Sequence, residues 1–428
     1  MSKAVIISYF YPPCNLTAAQ RVRSFAEYLP LHDIKPIIIS RNWDQPIRQQ
    51  KDLSMPSGTT LKTINTDSAT IHYLPFRGSY RDRFLTRFGE ERYTLVRKFM
   101  TFFEITLECL GYFSKDKRLI YQKAKKVIEE EQPSYLIISG NPFWQFNFGY
   151  RLKLKYPQLK WVADYRDDWT TGELGKKQDV LHRSLNNMTK KCERKWLKPA
   201  DLITSVSEVL SNRIGKFNGK PATTIANGFF EDQFPQPKTA DPKSFTVSYT
   251  GYLYPEQYVE WFLEAFKRLI DKHRKEVKLT VQFIGSAYEK KAAERINRLM
   301  KGYEEHLVLT NRVSRETCLE MEAKSDLLLM VSYRNMKGIP GSKLYQYLGS
   351  KKPIFLCPSD NDIVESTLQE TGLGIICKDE HEAFVKLDHL LERHKNGKPL
   401  IENINHEKIA NYSRRKQVEK LALTLKQL

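Results

Sequence analysis

Apolar residues recur along the chain in short strand-like runs, most of them followed by a stretch with helical spacing. Residues 5–8 open the series, a helical pattern covers 17–29, and 36–40 forms the next run. Residues 135–140, a helix and 161–165 repeat the arrangement. It continues at 201–206, entered from a helix ending near Leu197-Lys198-Pro199, and at 223–226. Strands that alternate with helices imply βαβ units and a parallel sheet.

The pattern breaks at residues 231–243, EDQFPQPKTADPK, where proline and charge replace apolar residues as in a linker. Beyond it the alternation restarts at 245–249, 279–284, 307–309, 326–332, 353–357 and 374–377. A second doubly wound sheet follows. With 428 residues the chain exceeds the roughly 250–300 at which one core stops growing, so two domains are expected. The boundaries predicted are 1–235, 236–404, and a helical tail over 405–428 that clamps the domains through Ile409, Tyr412, Val418, Leu421 and Leu425.

The first residues run straight into a strand pattern, without the basic start, apolar stretch and cleavage site of a secretory signal, which predicts a cytoplasmic chain. The greasiest stretch, 99–113, is interrupted by Glu104 and Glu108 and is shorter than the roughly 20 apolar residues of a membrane span. The six cysteines have neither metal-ligand nor CxxC spacing and read as reduced thiols. Lys and Arg outnumber Asp and Glu by 69 to 50, so the +19 net charge points to an anionic partner.

In doubly wound sheets ligands bind beyond the carboxyl ends of the strands, which directs attention to four loops. The first, with Asn15, Thr17 and Arg21, leads into a helix whose N-terminus suits a phosphate, or else Asn15 or Thr17 is an ordinary cap and Arg21 a surface charge. It lacks the GxGxxG pattern of dinucleotide sites. The second, Asp164-Tyr165-Arg166-Asp167-Asp168-Trp169, crowds three carboxylates, a guanidinium and an indole, a costly arrangement unless they pair or meet a ligand. An ion pair bracing the strand end is the plainer reading. The third holds Arg334, Lys337, Gly341, Ser342 and Lys343 before a helix and can bind a diphosphate without a metal, or be a solvated basic loop. The fourth centres on Gly251, a place for close ligand approach or a turn glycine.

Taken together, these residues resemble the family 4 retaining glycosyltransferases, in particular the branch of bacterial surface-polysaccharide synthesis. The resemblance rests on the opening Tyr9-Phe10-Tyr11-Pro12-Pro13 with Arg21, on Asp164 to Trp169, on Ala200 to Ser207 and on Asn227-Gly228-Phe229. It extends through Tyr249-Thr250-Gly251 to the block from Lys343 to Ile354. It implies an α/β fold of GT-B architecture, two Rossmann-like domains facing each other across a cleft, with a nucleoside diphosphate sugar held mainly by the second. Donor-binding residues are then Asn15, Thr17, Arg21, Gly251, Arg334, Lys337, Gly341, Ser342, Lys343 and Gln346. The acceptor, a saccharide or polyprenyl-linked saccharide, falls to Asn141, Trp144 and Trp169, and catalysis to Asp164, Arg166 and Asp167.

The resemblance further implies transfer with retention by front-face attack, no cofactor beyond the nucleotide sugar and no metal. Two positions depart from the family. Its Glu-x7-Glu is replaced by Gly338 and Gln346, and the basic residues it places after the Gly251-type strand end are absent. Phosphate neutralisation therefore passes to Lys337, Lys343 and Arg334. Residues 80–126, which mix aromatic and basic side chains, are expected to rest on an anionic membrane surface or else to pack as an insertion. Two other functions are considered: a related GT-B epimerase or hydrolase of nucleotide sugars, and a basic nucleic-acid-binding protein, for which no binding motif is present.

Overall fold

The computed structural model describes residues 1–47, 50–89, 92–172, 180–236, 241–333 and 336–428. It divides into two units, Met1–Ala226 with Gln417–Leu428, and Asn227–Lys416. The first contains β1 (Ser2–Ser8), α1 (Thr17–Tyr28), β2 (Ile34–Arg41), β3 (Lys62–Asn65), β4 (Thr70–Leu74), α2 (Tyr80–Phe88), α3 (Thr94–Leu110) and α4 (Lys115–Glu131). It continues with β5 (Tyr135–Gly140), α5 (Gln145–Lys155), β6 (Lys160–Tyr165), α6 (Val180–Leu197), β7 (Leu202–Ser205), α7 (Glu208–Asn218) and β8 (Ala222–Thr224). Among the described residues the strands form one sheet in the order β3-β4-β2-β1-β5-β6-β7-β8, parallel except for β3 against β4.

Alternation along β1 explains its central place. Val5 and Ile7 point into one core with Ile138, Phe146 and Leu152, while Ala4 and Ile6 point into the other with Val22 and Phe25. A strand buried on both faces reads as a continuous apolar run.

The second unit holds β9 (Ser244–Thr250), α8 (Glu260–His273), β10 (Lys278–Ile284), α9 (Lys290–Leu299), β11 (Leu307–Leu309), α10 (Arg315–Ala323) and β12 (Leu327–Met330). Then come α11 (Gly341–Ser350), β13 (Ile354–Leu356), α12 (Ile363–Thr371), β14 (Gly374–Ile376), α13 (Glu380–Lys395), α14 (His406–Ala410) and α15 (Arg414–Lys426), whose last residues belong to the first unit. The sheet order is β11-β10-β9-β12-β13-β14, with every pairing parallel. The order of the parallel strands switches at β1/β5 and at β9/β12, and ligands of doubly wound sheets bind beyond the carboxyl ends of such pairs.

The hand-over between units falls after Ala226, not at 235, because Ile225 is buried in the first core and Phe229 pairs with Ser413 in the second unit. The predicted tail is likewise divided. Ile409 and Tyr412 lie in the second unit, whereas Val418, Leu421, Ala422 and Leu425 pack in the first core beside Ile6 and Val22.

Candidate functional site

In the first unit Asp164, at the end of β6, and Arg21 of α1 form a buried ion pair, Nη2 to Oδ1 2.7 Å and Nε to Oδ2 3.0 Å. The other guanidinium nitrogen donates to the carbonyls of Ile225 and Ala226, and the hydroxyls of Ser139 and Thr204 complete the carboxylate, each at 2.8 Å. Burial alone would raise the Asp164 pKa, but Arg21 and the two hydroxyls hold it below the usual carboxylate range. Both side chains are 1% exposed and engaged, so neither reaches a ligand. This corrects the donor role expected of Arg21 and the catalytic role expected of Asp164: they brace the ends of β6 and β7.

Asn15 is also used internally. Its amide donates to the Ile47 carbonyl at 3.2 Å and accepts from the Ile47 amide at 3.0 Å. Thr17 is the exposed first residue of α1, whose N-cap position is Leu16 and carries no side-chain cap. Neither residue is the cap that the plainer reading allowed.

Arg166 lies over the β1/β5 switch. Its Nε donates to Ser139 Oγ at 3.1 Å, its Nη2 to the carbonyl of Asn141, and its backbone amide to the carbonyl of Gly140. The guanidinium also sits 5.5 Å from the centre of the Phe10 ring. Burial lowers its pKa, opposed by Asp167 and Asp164, and a guanidinium shifted this way still keeps its charge near neutrality. Asp167 and Asn141 are exposed beside it. Asp168 instead bonds Thr171 at 2.6 Å and Arg213 at 3.3 Å.

The two tryptophans expected to hold an acceptor are packing residues. Trp169 is stacked between Phe143, at 5.1 Å, and Trp196, at 5.6 Å. Trp144 is buried edge-on against Phe148, with the Lys117 ammonium 5.2 Å from its ring. Aromatic area of this kind stabilises the core and leaves no face for a sugar.

In the second unit the candidates gather at the carboxyl ends of β9 and β12. Gly251 has φ +86°, and a Cβ there would meet nothing within 4 Å among the described residues. Gly341 starts α11 at φ +64° with similar room, Ser342 is exposed, and no side chain caps the helix. The Lys343 ammonium lies 3.3 Å above the Tyr249 ring and, among the described residues, makes no hydrogen bond or ion pair. Burial lowers its pKa well below the ordinary lysine value, against the pull of Glu322 and Cys318. An ammonium held this way beside free helix amides is suited to an incoming anion.

Lys337 donates to the carbonyls of Asp360 and Asn361 at 2.8 and 2.9 Å, which ties the loop after β12 to the approach of α12 and uses two of its three donors. Arg334 lies outside the described residues. Gln346 donates to Glu322 Oε1 at 2.6 Å and accepts from Arg315 at 3.4 Å. Sequence reasoning missed Glu322. Its helix is polar, and nothing local separates it from the exposed Glu316 and Glu320.

Residues 244–393 match the family model of group 1 glycosyl transferases. The matched stretch runs from β9 into α13 and carries Gly251, Glu322, Lys337, Gly341, Ser342, Lys343 and Gln346.

No curated protein matches the sequence. Solved structures match the fold over the full chain. Sucrose-phosphate synthase from Thermosynechococcus elongatus is 12% identical with a TM-score of 0.65, covering 100% of this chain and 99% of its own. The E. coli trehalose-6-phosphate structure with bound UDP-2-fluoro glucose gives 11% and 0.62, with coverage of 100% and 99%. A glycosyltransferase from Rickettsia africae gives 13% and 0.60, with coverage of 100% and 98%. The two parallel-sheet domains are those of the GT-B glycosyltransferase fold.

Proposed function

We propose that this protein transfers a sugar from a nucleoside diphosphate sugar to a saccharide or lipid-linked saccharide, with retention, in the assembly of a cell-surface polysaccharide. The observation that carries the reading is Lys343, an ammonium without a protein anion among the described residues, at the uncapped start of α11 within the group 1 match. The UDP-2-fluoro glucose bound in one neighbour of the same fold supports the class of donor.

Lys343 and the first amides of α11 bind the diphosphate, and they stabilise the charge it gains as the bond from the anomeric carbon to the phosphate oxygen breaks. The acceptor hydroxyl bonds to that carbon on the face the phosphate leaves, and its proton passes to the departing phosphate oxygen. Arg166 contributes fixed positive charge and Asp167 orients the acceptor, with Asn141 beside them. A lysine and helix amides supply the charge that a divalent cation otherwise would, so the transfer is metal-independent.

A membrane-bound acceptor fits α3. This helix buries none of its residues, and Leu95, Phe99 and Phe103 are 80%, 68% and 56% exposed. Glu104 and Glu108 on its other side are held by Lys117. Exposed Arg83, Arg87, Arg92 and Lys98 flank the apolar residues, the pattern of a helix lying on an anionic cytoplasmic surface. No described helix is long and apolar enough to cross a membrane.

The test is a thermal-shift screen of nucleoside diphosphates, followed by transfer assays in EDTA. A nucleoside diphosphate should raise the melting temperature and transfer should survive chelation. Failure of every diphosphate to bind removes the reading, and loss of transfer restored only by magnesium removes its metal-independent part.

A further inference from the structure

Behind Lys343 lies a carboxylate that the diphosphate site does not use. Glu322 of α10 is 1% exposed, yet no cation lies within ion-pair distance of it among the described residues. Its Oε1 accepts from Thr250 Oγ1 at 2.7 Å and from Gln346 Nε2 at 2.6 Å, and the Cys318 thiol stands at 3.8 Å. Its Oε2 is buried without any hydrogen-bond partner among the described residues. A carboxylate half satisfied by neutral donors costs the fold free energy, and such a group persists where it serves a ligand or orients a neighbour.

Gln346 shows what it orients. The Glu322 contact takes the amide nitrogen, so the Gln346 carbonyl oxygen is turned to the other side, toward Arg315 Nη1 at a long 3.4 Å. Three residues separate Gln346 from Lys343 on α11, which places them on one helix face about 4.5 Å apart along the axis. A diphosphate at Lys343 therefore puts the attached ribose about one helical turn along, beside Gln346.

We infer that Glu322 is a positioning residue for the nucleoside: by holding the Gln346 amide nitrogen it turns the Gln346 carbonyl oxygen toward the vicinal hydroxyls of the ribose. This rests on the diphosphate reading of Lys343 and adds the selection of a ribonucleotide.

The experiment measures binding of UDP, GDP, ADP and CDP, each against its 2′,3′-dideoxy counterpart, by calorimetry on the full chain. The parent should prefer the best ribonucleotide over its dideoxy form at least tenfold. Glu322→Leu, which takes away the acceptor that holds Gln346, should remove most of that preference, whereas Lys343→Ala should weaken both forms by the same factor.

If ribonucleotides bind and Glu322→Leu keeps the full preference, the inference is overturned while the diphosphate site stands. If no nucleoside diphosphate binds the parent, both fall. Should Glu322→Leu fail to fold, Gln346→Ala is read in its place, and an undiminished preference there overturns the inference equally.

Discussion

Arg21 Nη2 and Asp164 Oδ1 lie 2.7 Å apart with both side chains 1% exposed, so the first carboxylate of the Asp164–Trp169 loop is internal. Removing one partner strands a buried charge, and Arg21→Ala should cost about 3–5 kcal/mol in chemical denaturation. The pH dependence has a definite sign. Because the folded Asp164 pKa is lowered, its contribution is complete above the unfolded value of about 3.9 and is lost as pH falls through the lower folded value. An Arg21→Ala variant of parental stability but with lost nucleotide affinity would return Arg21 to the donor site.

The Lys343 shift runs in the same direction but counts against the fold. Its folded pKa is lowered, so the free protein gains stability as pH rises through that value and the ammonium loses its proton. Lys343→Met should therefore melt at or above the parent temperature, while Lys343→Ala should weaken a nucleoside diphosphate roughly ten- to a hundredfold, about 1.5–3 kcal/mol. A bound diphosphate should raise the Lys343 pKa back toward the ordinary value. Calorimetry in buffers of different ionisation enthalpy should show proton uptake on binding, and affinity should fall as pH rises. Absence of uptake between the lowered and ordinary lysine values would count against the contact.

Arg166 and Asp167 should act on the rate of transfer and not on donor affinity. Arg166→Ala and Asp167→Asn are each expected to slow transfer at least roughly tenfold, about 1.4 kcal/mol of barrier, with nucleoside diphosphate affinity kept. Folded variants that transfer at the parental rate would leave this loop a purely structural one.

For α3 the measurement is co-sedimentation with liposomes. The protein should pellet with anionic vesicles, less so as salt rises, and not with neutral ones. Phe99→Glu with Phe103→Glu should release it without changing its melting temperature, since neither side chain is buried. Equal pelleting with both vesicle types would contradict an electrostatic attachment.

The fold was legible because parallel strands announce themselves. Runs such as Val5-Ile6-Ile7 have no other economical place than a sheet buried on both faces, and their alternation with helices fixes the class. The site was legible only where one loop carries its own chemistry, as at Lys343. Trp169 looked like a sugar platform because exposure is a property of tertiary packing, and Phe143 and Trp196 that cover it come from other stretches of chain. Glu322 was hidden for the converse reason: its partners Thr250 and Gln346 are 72 and 24 residues away.

The packing of Val418, Leu421, Ala422 and Leu425 beside Ile6 and Val22 has a consequence for biosynthesis. A ribosome makes the strands and helices of Met1–Ala226 first, but it must then make all of Asn227–Lys416 before the residues that finish the first core exist. Until that moment the nascent first unit exposes the apolar surface those four side chains will cover, a state open to chaperones and to aggregation. The second unit, continuous in sequence, can close on its own in the meantime. A chain halted at residue 416 should therefore retain a folded second unit while its first unit is prone to proteolysis.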